Sequence, residues 1–150
     1  MAAAQTIIVT GASSGIGRAI ALHLSEQGHD VVGTSRGASG LERLDVTDET
    51  SCAALIERVL ARTGRIDALV NNVGQAMLGA QEECSVDEVR ALFEVNVFGA
   101  MRMTGAACQA QVRQGLGPRG SQARNSGPGA ARRGGGVKGS RKPMRAEDNP

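Results

Sequence analysis

A short β-branched run, Thr6–Thr10, ends on glycine and passes at once into Gly11-Ala12-Ser13-Ser14-Gly15-Ile16-Gly17. No other feature of the chain constrains its fold as much. A continuous apolar run bounded by glycine reads as a buried strand. Beyond the glycines, Ile16, Ala19, Ile20, Leu24 and Gln27 recur at helical spacing until Gly28 stops the pattern. The connection must therefore lead from a buried strand straight into a helix. Glycine permits the tight turn, and its missing Cβ lets an anion approach the backbone. The first N–H groups of the helix and its dipole then face that anion. Ser13 and Ser14 add hydroxyl donors. The spacing is G-x-x-x-G-x-G, not G-x-G-x-x-G. A strand-to-helix loop can need glycine for geometry alone. What favours nucleotide binding is the context, with a strand before the turn and a helix after it.

The same alternation continues. Asp30–Thr34 reads as a second strand, and Leu41–Val46, after a Gly/Ser stretch, as a third. Thr47, Asp48 or Ser51 can cap a helix that runs to about Arg62, with Ala54, Leu55, Val59 and Leu60 facing inward and Gly64 ending it. Ile66–Asn71 is a fourth strand. Ser85, with Glu88 three residues on, has the spacing of a capping box. The helix it opens presents Val86, Val89, Leu92, Phe93 and Val97 as its apolar face. Strands alternating with helices imply an α/β fold, a Rossmann-like doubly wound parallel sheet. The expected strand order is 3-2-1-4, which ends after about four strands and leaves the fourth as an edge.

Charge divides the chain. Residues 1–104 hold eight Arg and no Lys against thirteen Asp plus Glu, a net −5. Residues 105–150 hold seven Arg and two Lys against one Glu and one Asp, a net +7, with all four prolines and ten of the 21 glycines. Residues 115–150 are therefore expected to be a basic, disordered tail, because so few apolar side chains cannot offset the entropy of ordering. The helix before it is expected to extend to about residue 114. A changed reading frame or splice end near residue 105 would account for the shift in composition. Cys52, Cys84 and Cys108 lack CxxC spacing and are expected to be reduced packing residues, not disulfide or metal ligands. With no leader-like N-terminus and no apolar stretch near the ~20 residues of a membrane span, a soluble cytoplasmic protein is expected.

Four motifs in order carry a resemblance to the short-chain dehydrogenases/reductases. Thr10–Gly17 resembles the cofactor turn of that family. Asp45-Val46-Thr47 resembles its aspartate motif beside the adenine ring, and Asn71-Asn72-Val73-Gly74 its Asn-Asn-Ala-Gly with valine in place of alanine. Asn96-Val97-Phe98-Gly99 resembles its Asn-x-x-Gly, whose asparagine belongs to the catalytic tetrad. Singly, Asp45, Asn71 and Asn72 are also ordinary turn acceptors, and Asn96 an ordinary polar helix residue.

The resemblance implies a nicotinamide dinucleotide held by Gly11, Ser13, Ser14, Gly15, Ile16, Gly17, Arg36, Asp45, Val46, Asn71 and Gly74. The second strand ends in Thr34-Ser35-Arg36, without the acid that would accept the 2′-hydroxyl of NAD. Arg36 suits a 2′-phosphate, which favours NADP(H) over NAD(H).

The resemblance also implies a serine and a Tyr-x-x-x-Lys motif beyond Thr104, where the likeness fades. The chain contains no tyrosine at all. Asn96 is the only expected remnant of the tetrad, so the chain as written is expected to be inactive. The alternatives are a non-catalytic dinucleotide binder that pairs with its own kind or with another chain through the helix carrying Asn96, and a nucleic-acid binder through the basic tail. The last has the least support, since the chain lacks aromatic interleaving.

Overall fold

Alternating buried strands and amphipathic helices dictate a layered arrangement, and a computed structural model shows it over residues 3–37, 40–77, 79, 82 and 84–115. The expectations for residues 116–150, including the basic tail, fall outside the described residues.

The central strand β1 (Thr6–Val9) is buried along its whole length. It is flanked in parallel by β2 (Asp30–Ser35) on one side and β4 (Ala68–Val70) on the other, with Ile7 aligned to Val31 and to Ala68. A two-residue β3 (Glu42–Arg43) pairs with the end of β2, giving the order β3-β2-β1-β4. The third strand is shorter than Leu41–Val46 because only Glu42 and Arg43 meet the ladder. Leu44 and Val46 beyond it are nonetheless buried.

Helix α1 (Gly15–Glu26) packs Ile20, Ala21 and Leu24 with Ile7, Val9 and Ala12 on one face of the sheet. Ile16, expected on the same stripe, is 74% exposed. It sits in the first turn, where the helix has only just left the sheet. The larger cluster on the opposite face joins Ile8, Val32 and Leu44 to α2 (Glu49–Thr63) and α4 (Ala100–Arg113). Asp48 caps α2 by accepting from the Thr50 N–H at 2.9 Å. The inward stripe of α2 is Cys52, Leu55, Ile56 and Val59, while Ala54 faces out. The stripe is therefore rotated toward Cys52 and Ile56 relative to the sequence expectation.

The third long element is a composite. Helix α3 (Val86–Phe93) opens on the expected capping box: Ser85 Oγ accepts from the Glu88 N–H, and the Glu88 carboxylate accepts from the Ser85 N–H at 2.8 Å. A π-turn, Glu94–Gly99, follows without a break and leads into α4, which continues to Arg113. Met103, Ala107 and Ala110 of α4 are buried. The expected apolar face of α3 is only partly covered: Val89 and Leu92 are half-buried, whereas Val86 is 66% and Phe93 52% exposed, with Val97 and Phe98 also open. The sheet ends at β4 among the described residues, so no layer reaches the rest of that face. Of the cysteines, Cys52 is buried and Cys108 lies exposed on α4.

Candidate dinucleotide cleft

The carboxyl ends of β1, β2 and β4 open into one cleft of about 350 Å³. Its floor is the β1–α1 turn. Gly11 takes φ 69° and Gly15 φ 54°, the left-handed region that disfavours side chains. The Ala12 N–H donates to Thr34 O at 2.8 Å, tying the turn to β2. Gly17 answers to a different demand. A Cβ there would collide with Gly11 O and the Asn72 amide. The turn closes on itself because that atom is missing.

Asn72 fastens this turn from the β4 side. Its Nδ2 donates to Thr10 O at 3.0 Å and to Gly11 O at 3.2 Å. The N–H groups of Asn72 and Val73 both donate to Thr10 Oγ1, at 2.9 and 3.1 Å. Adjacent residues in extended chain point to opposite sides, so the Asn71-Asn72 pair cannot both face the cleft. Asn71 turns away and its Nδ2 donates to Thr104 Oγ1 on α4 at 3.0 Å. Sequence reading selected Asn71 as the cofactor contact. The asparagine that borders the cleft is Asn72. The Asn-Asn doublet signalled that one of them would do so, but not which.

The side walls follow from the neighbouring strands. Ser35 and Arg36 at the end of β2 line one flank, with Arg36 exposed. Beyond β3 come Asp45, Val46 and Thr47. Asp45 Oδ1 accepts from the Thr47 hydroxyl at 2.7 Å and the Thr47 N–H at 2.9 Å. These two donors hold the Asp45 carboxyl below its ordinary range, the hydroxyl contributing most. Beneath them Cys52 is buried, and burial pushes its thiol up.

The far wall is Val73, Gly74 and Gln75 after β4, with Val95 from the π-turn. Asn96 holds this wall. Its Oδ1 accepts from the Gln75 N–H and its Nδ2 donates to Gln75 O, both at 2.8 Å. Of the residues selected from sequence, Gly11, Ser13, Ser14, Arg36, Asp45, Val46 and Gly74 therefore line one cleft. Gly15, Ile16 and Gly17 belong to the turn and helix start beneath it. Asn96 stands behind it and acts on the backbone of Gln75.

The donor set suits an anion with an attached base. Ser14 stands at the N-cap of α1 in extended conformation, but its side chain caps no backbone N–H. The first N–H groups of α1 thus remain available at the positive end of the helix dipole. A Cβ at Gly15 would meet open space, so the backbone can be approached there. Ser13, Ser14 and the Arg36 guanidinium complete a phosphate-binding chemistry. In their chemistry these residues fit a ligand that carries phosphate, such as a dinucleotide. Among the described residues no group of three His, Cys, Asp or Glu side chains could hold a metal, and no helix is long and apolar enough to cross a membrane.

Comparison with known proteins agrees with this geometry. The family described as short chain dehydrogenase matches residues 5–118. The match runs beyond Thr104, where the motif resemblance ends, and takes in all of α4. A 3-ketodihydrosphingosine reductase from Bacteroides thetaiotaomicron is 43% identical over 105 residues, covering 66% of this chain and 39% of that protein. The crystal structure of a short-chain dehydrogenase from Streptomyces avermitilis superposes with a TM-score of 0.69 at 41% identity, over 77% of this chain and 47% of that one. An alcohol dehydrogenase from Thermococcus sibiricus, complexed with 5-hydroxy-NADP, superposes at 0.66 with 30% identity, over 75% of this chain and 55% of that one. The chain thus spans roughly half the length of the proteins it resembles, or less.

Proposed function

The chain belongs to the short-chain dehydrogenase family, and we propose that it forms the dinucleotide-binding half of an oxidoreductase fold, with NADP(H) preferred over NAD(H). The observation that carries this reading is the convergence on one cleft of the glycine turn, the uncapped start of α1, Arg36 and Asp45.

The preference rests on Arg36. The end of β2 carries a guanidinium and no carboxylate, so a 2′-phosphate gains a charge-assisted partner there. Asp45, the nearest acid of the cleft, is already engaged by Thr47. The NADP-type ligand of the Thermococcus sibiricus neighbour supports the same choice. Replacing Arg36 with Asp tests it. NADP+ affinity should fall roughly tenfold to a hundredfold while NAD+ affinity stays level or rises. An unchanged ratio of the two affinities would sink the NADP assignment.

A nicotinamide dinucleotide held in this cleft would supply the hydride chemistry of carbonyl–alcohol interconversion. That chemistry also needs a group to move the matching proton. The 150 residues contain no tyrosine, and Asn96 spends both ends of its amide on Gln75. The chain alone is therefore proposed to bind the dinucleotide without turning over a carbonyl or alcohol substrate. A reductase assay well above background would overturn that. The exposed side chains of Phe93, Val97, Phe98 and Met101 favour a second reading alongside it, in which this helical face associates with a second copy or another family member.

A further inference from the structure

The π-turn between α3 and α4 touches both walls of the cleft, and one arginine fastens it to the wall opposite Asn96. Arg102 of α4 donates through Nη1 to Val46 O at 3.4 Å and through Nη2 to Glu94 Oε1 at 2.5 Å. Glu94 begins the π-turn and Arg102 lies eight positions on, about 12 Å of rise along a regular α-helix. The pair therefore spans the π-turn instead of joining neighbouring turns of one helix face. The contact with Val46 is also steric. A Cβ on Gly99 would lie 2.6 Å from Val46 Cγ2 and 2.9 Å from its Cβ. The end of the π-turn is thus seated directly on the segment that carries Asp45 and Thr47. In the same turn Val95 lines the cleft and Asn96 clamps Gln75.

We propose that Arg102, braced by Glu94, is a positioning residue that fixes the Asp45–Thr47 wall against the π-turn and so sets the adenosine side of the cleft. The assignment rests on the dinucleotide reading but acts at a place that reading does not use. Asn96 and Arg102 divide the work. Asn96 holds the wall beyond β4, and Arg102 holds the wall beyond β3. Both anchor to one stretch of widened helix, a feature often found at functional sites. The Val46 carbonyl is a backbone acceptor, so the tether places the chain itself and does not depend on the side chain of residue 46.

Two substitutions in the full chain test this, Arg102→Met, which keeps the apolar stem, and Arg102→Lys, which keeps the charge. Hydrogen exchange of the ligand-free protein should quicken at the Asp45–Thr47 amides in Arg102→Met, stay unchanged at Thr6–Val9 and at Gly74–Gln75, and return toward wild type in Arg102→Lys. NADP+ affinity should fall about twofold to fivefold in Arg102→Met, as for loss of one partly exposed ionic contact. Affinity for inorganic pyrophosphate should not change. Unchanged exchange at Asp45–Thr47, or an equal loss of affinity for NADP+ and pyrophosphate, would overturn the proposal. If the wild-type chain binds no NADP+, the dinucleotide reading fails, and the exchange measurement still decides whether Arg102 holds the wall.

Discussion

Helices α1 and α3 both begin on a serine, and the two serines do opposite things. Ser85 accepts from the Glu88 N–H while Glu88 returns the contact, so the first turn of α3 satisfies itself. Ser14 leaves the first turn of α1 without a side-chain cap. A helix that closes its own N-terminus has only a structural use for it. One whose first N–H groups carry no side-chain cap beside a cleft leaves them available to an anion. The same contrast extends along the helices. The inward side of α1 is covered by the sheet, whereas the apolar face of α3 leaves Val86 and Phe93 open to solvent.

The largest effect should come from the closest contact in the α1 turn. In Gly17→Ala the new methyl group meets the Gly11 carbonyl and the Asn72 amide, so the turn must open. A loss of about 2–3 kcal/mol in denaturant unfolding is expected, with NADP+ binding lost alongside it. A variant as stable as wild type would show that Asn72 can step aside and that the turn is looser than its contacts imply.

The two serines themselves sharpen the comparison. Ser85→Ala should cost about 1 kcal/mol of stability, the usual loss for an N-cap, and leave NADP+ affinity alone. Ser14→Ala should stay within about 0.5 kcal/mol of wild type in stability while weakening NADP+ binding, read by calorimetric titration. If Ser14→Ala destabilised the fold as much as Ser85→Ala, the distinction between a structural and a ligand-facing helix start would collapse.

What could be read from sequence follows the same division. The glycine turn and the Ser85–Glu88 box are local patterns that tertiary packing did not override, and the strand order followed from the doubly wound fold that the alternation of strands and helices implies. Arg36 and Asp45 reached the cleft because strand ends in a parallel sheet converge there. Local pattern could not say which of Asn71 and Asn72 faces inward, since that depends on the register of a strand only three residues long. Nor could it show that Val86 and Phe93 are exposed. Their helical spacing is real, but a stripe is buried only where a layer exists to cover it. Arg102 carried no signal at all, because one partner is a backbone carbonyl 56 residues away and the other, Glu94, lies eight positions back, outside the i, i+3 and i, i+4 spacings of a helix face.

The smallest expected effect separates the two regions by acid. Ser85, through its N–H and hydroxyl, holds the Glu88 carboxyl below its ordinary value of 4.5. Thr47 holds Asp45 below 3.8. In each case the folded value lies below the unfolded one. The stabilising contribution is therefore complete above the unfolded value and is lost as pH falls through the folded value. Glu88→Gln keeps an acceptor for the capping box but cannot titrate, so its melting temperature should depend less steeply on pH than that of wild type as pH falls below 4.5, the group's ordinary value. Asp45→Asn should also flatten the melting curve. It alone should change the exchange of the Thr47 amide, because the carboxylate that accepts from that N–H stands at the cleft and not at a helix start. If Glu88→Gln altered exchange at Thr47, the two regions would be coupled through the π-turn, and the separation between a self-satisfied helix start and a ligand-facing cleft would have to be redrawn.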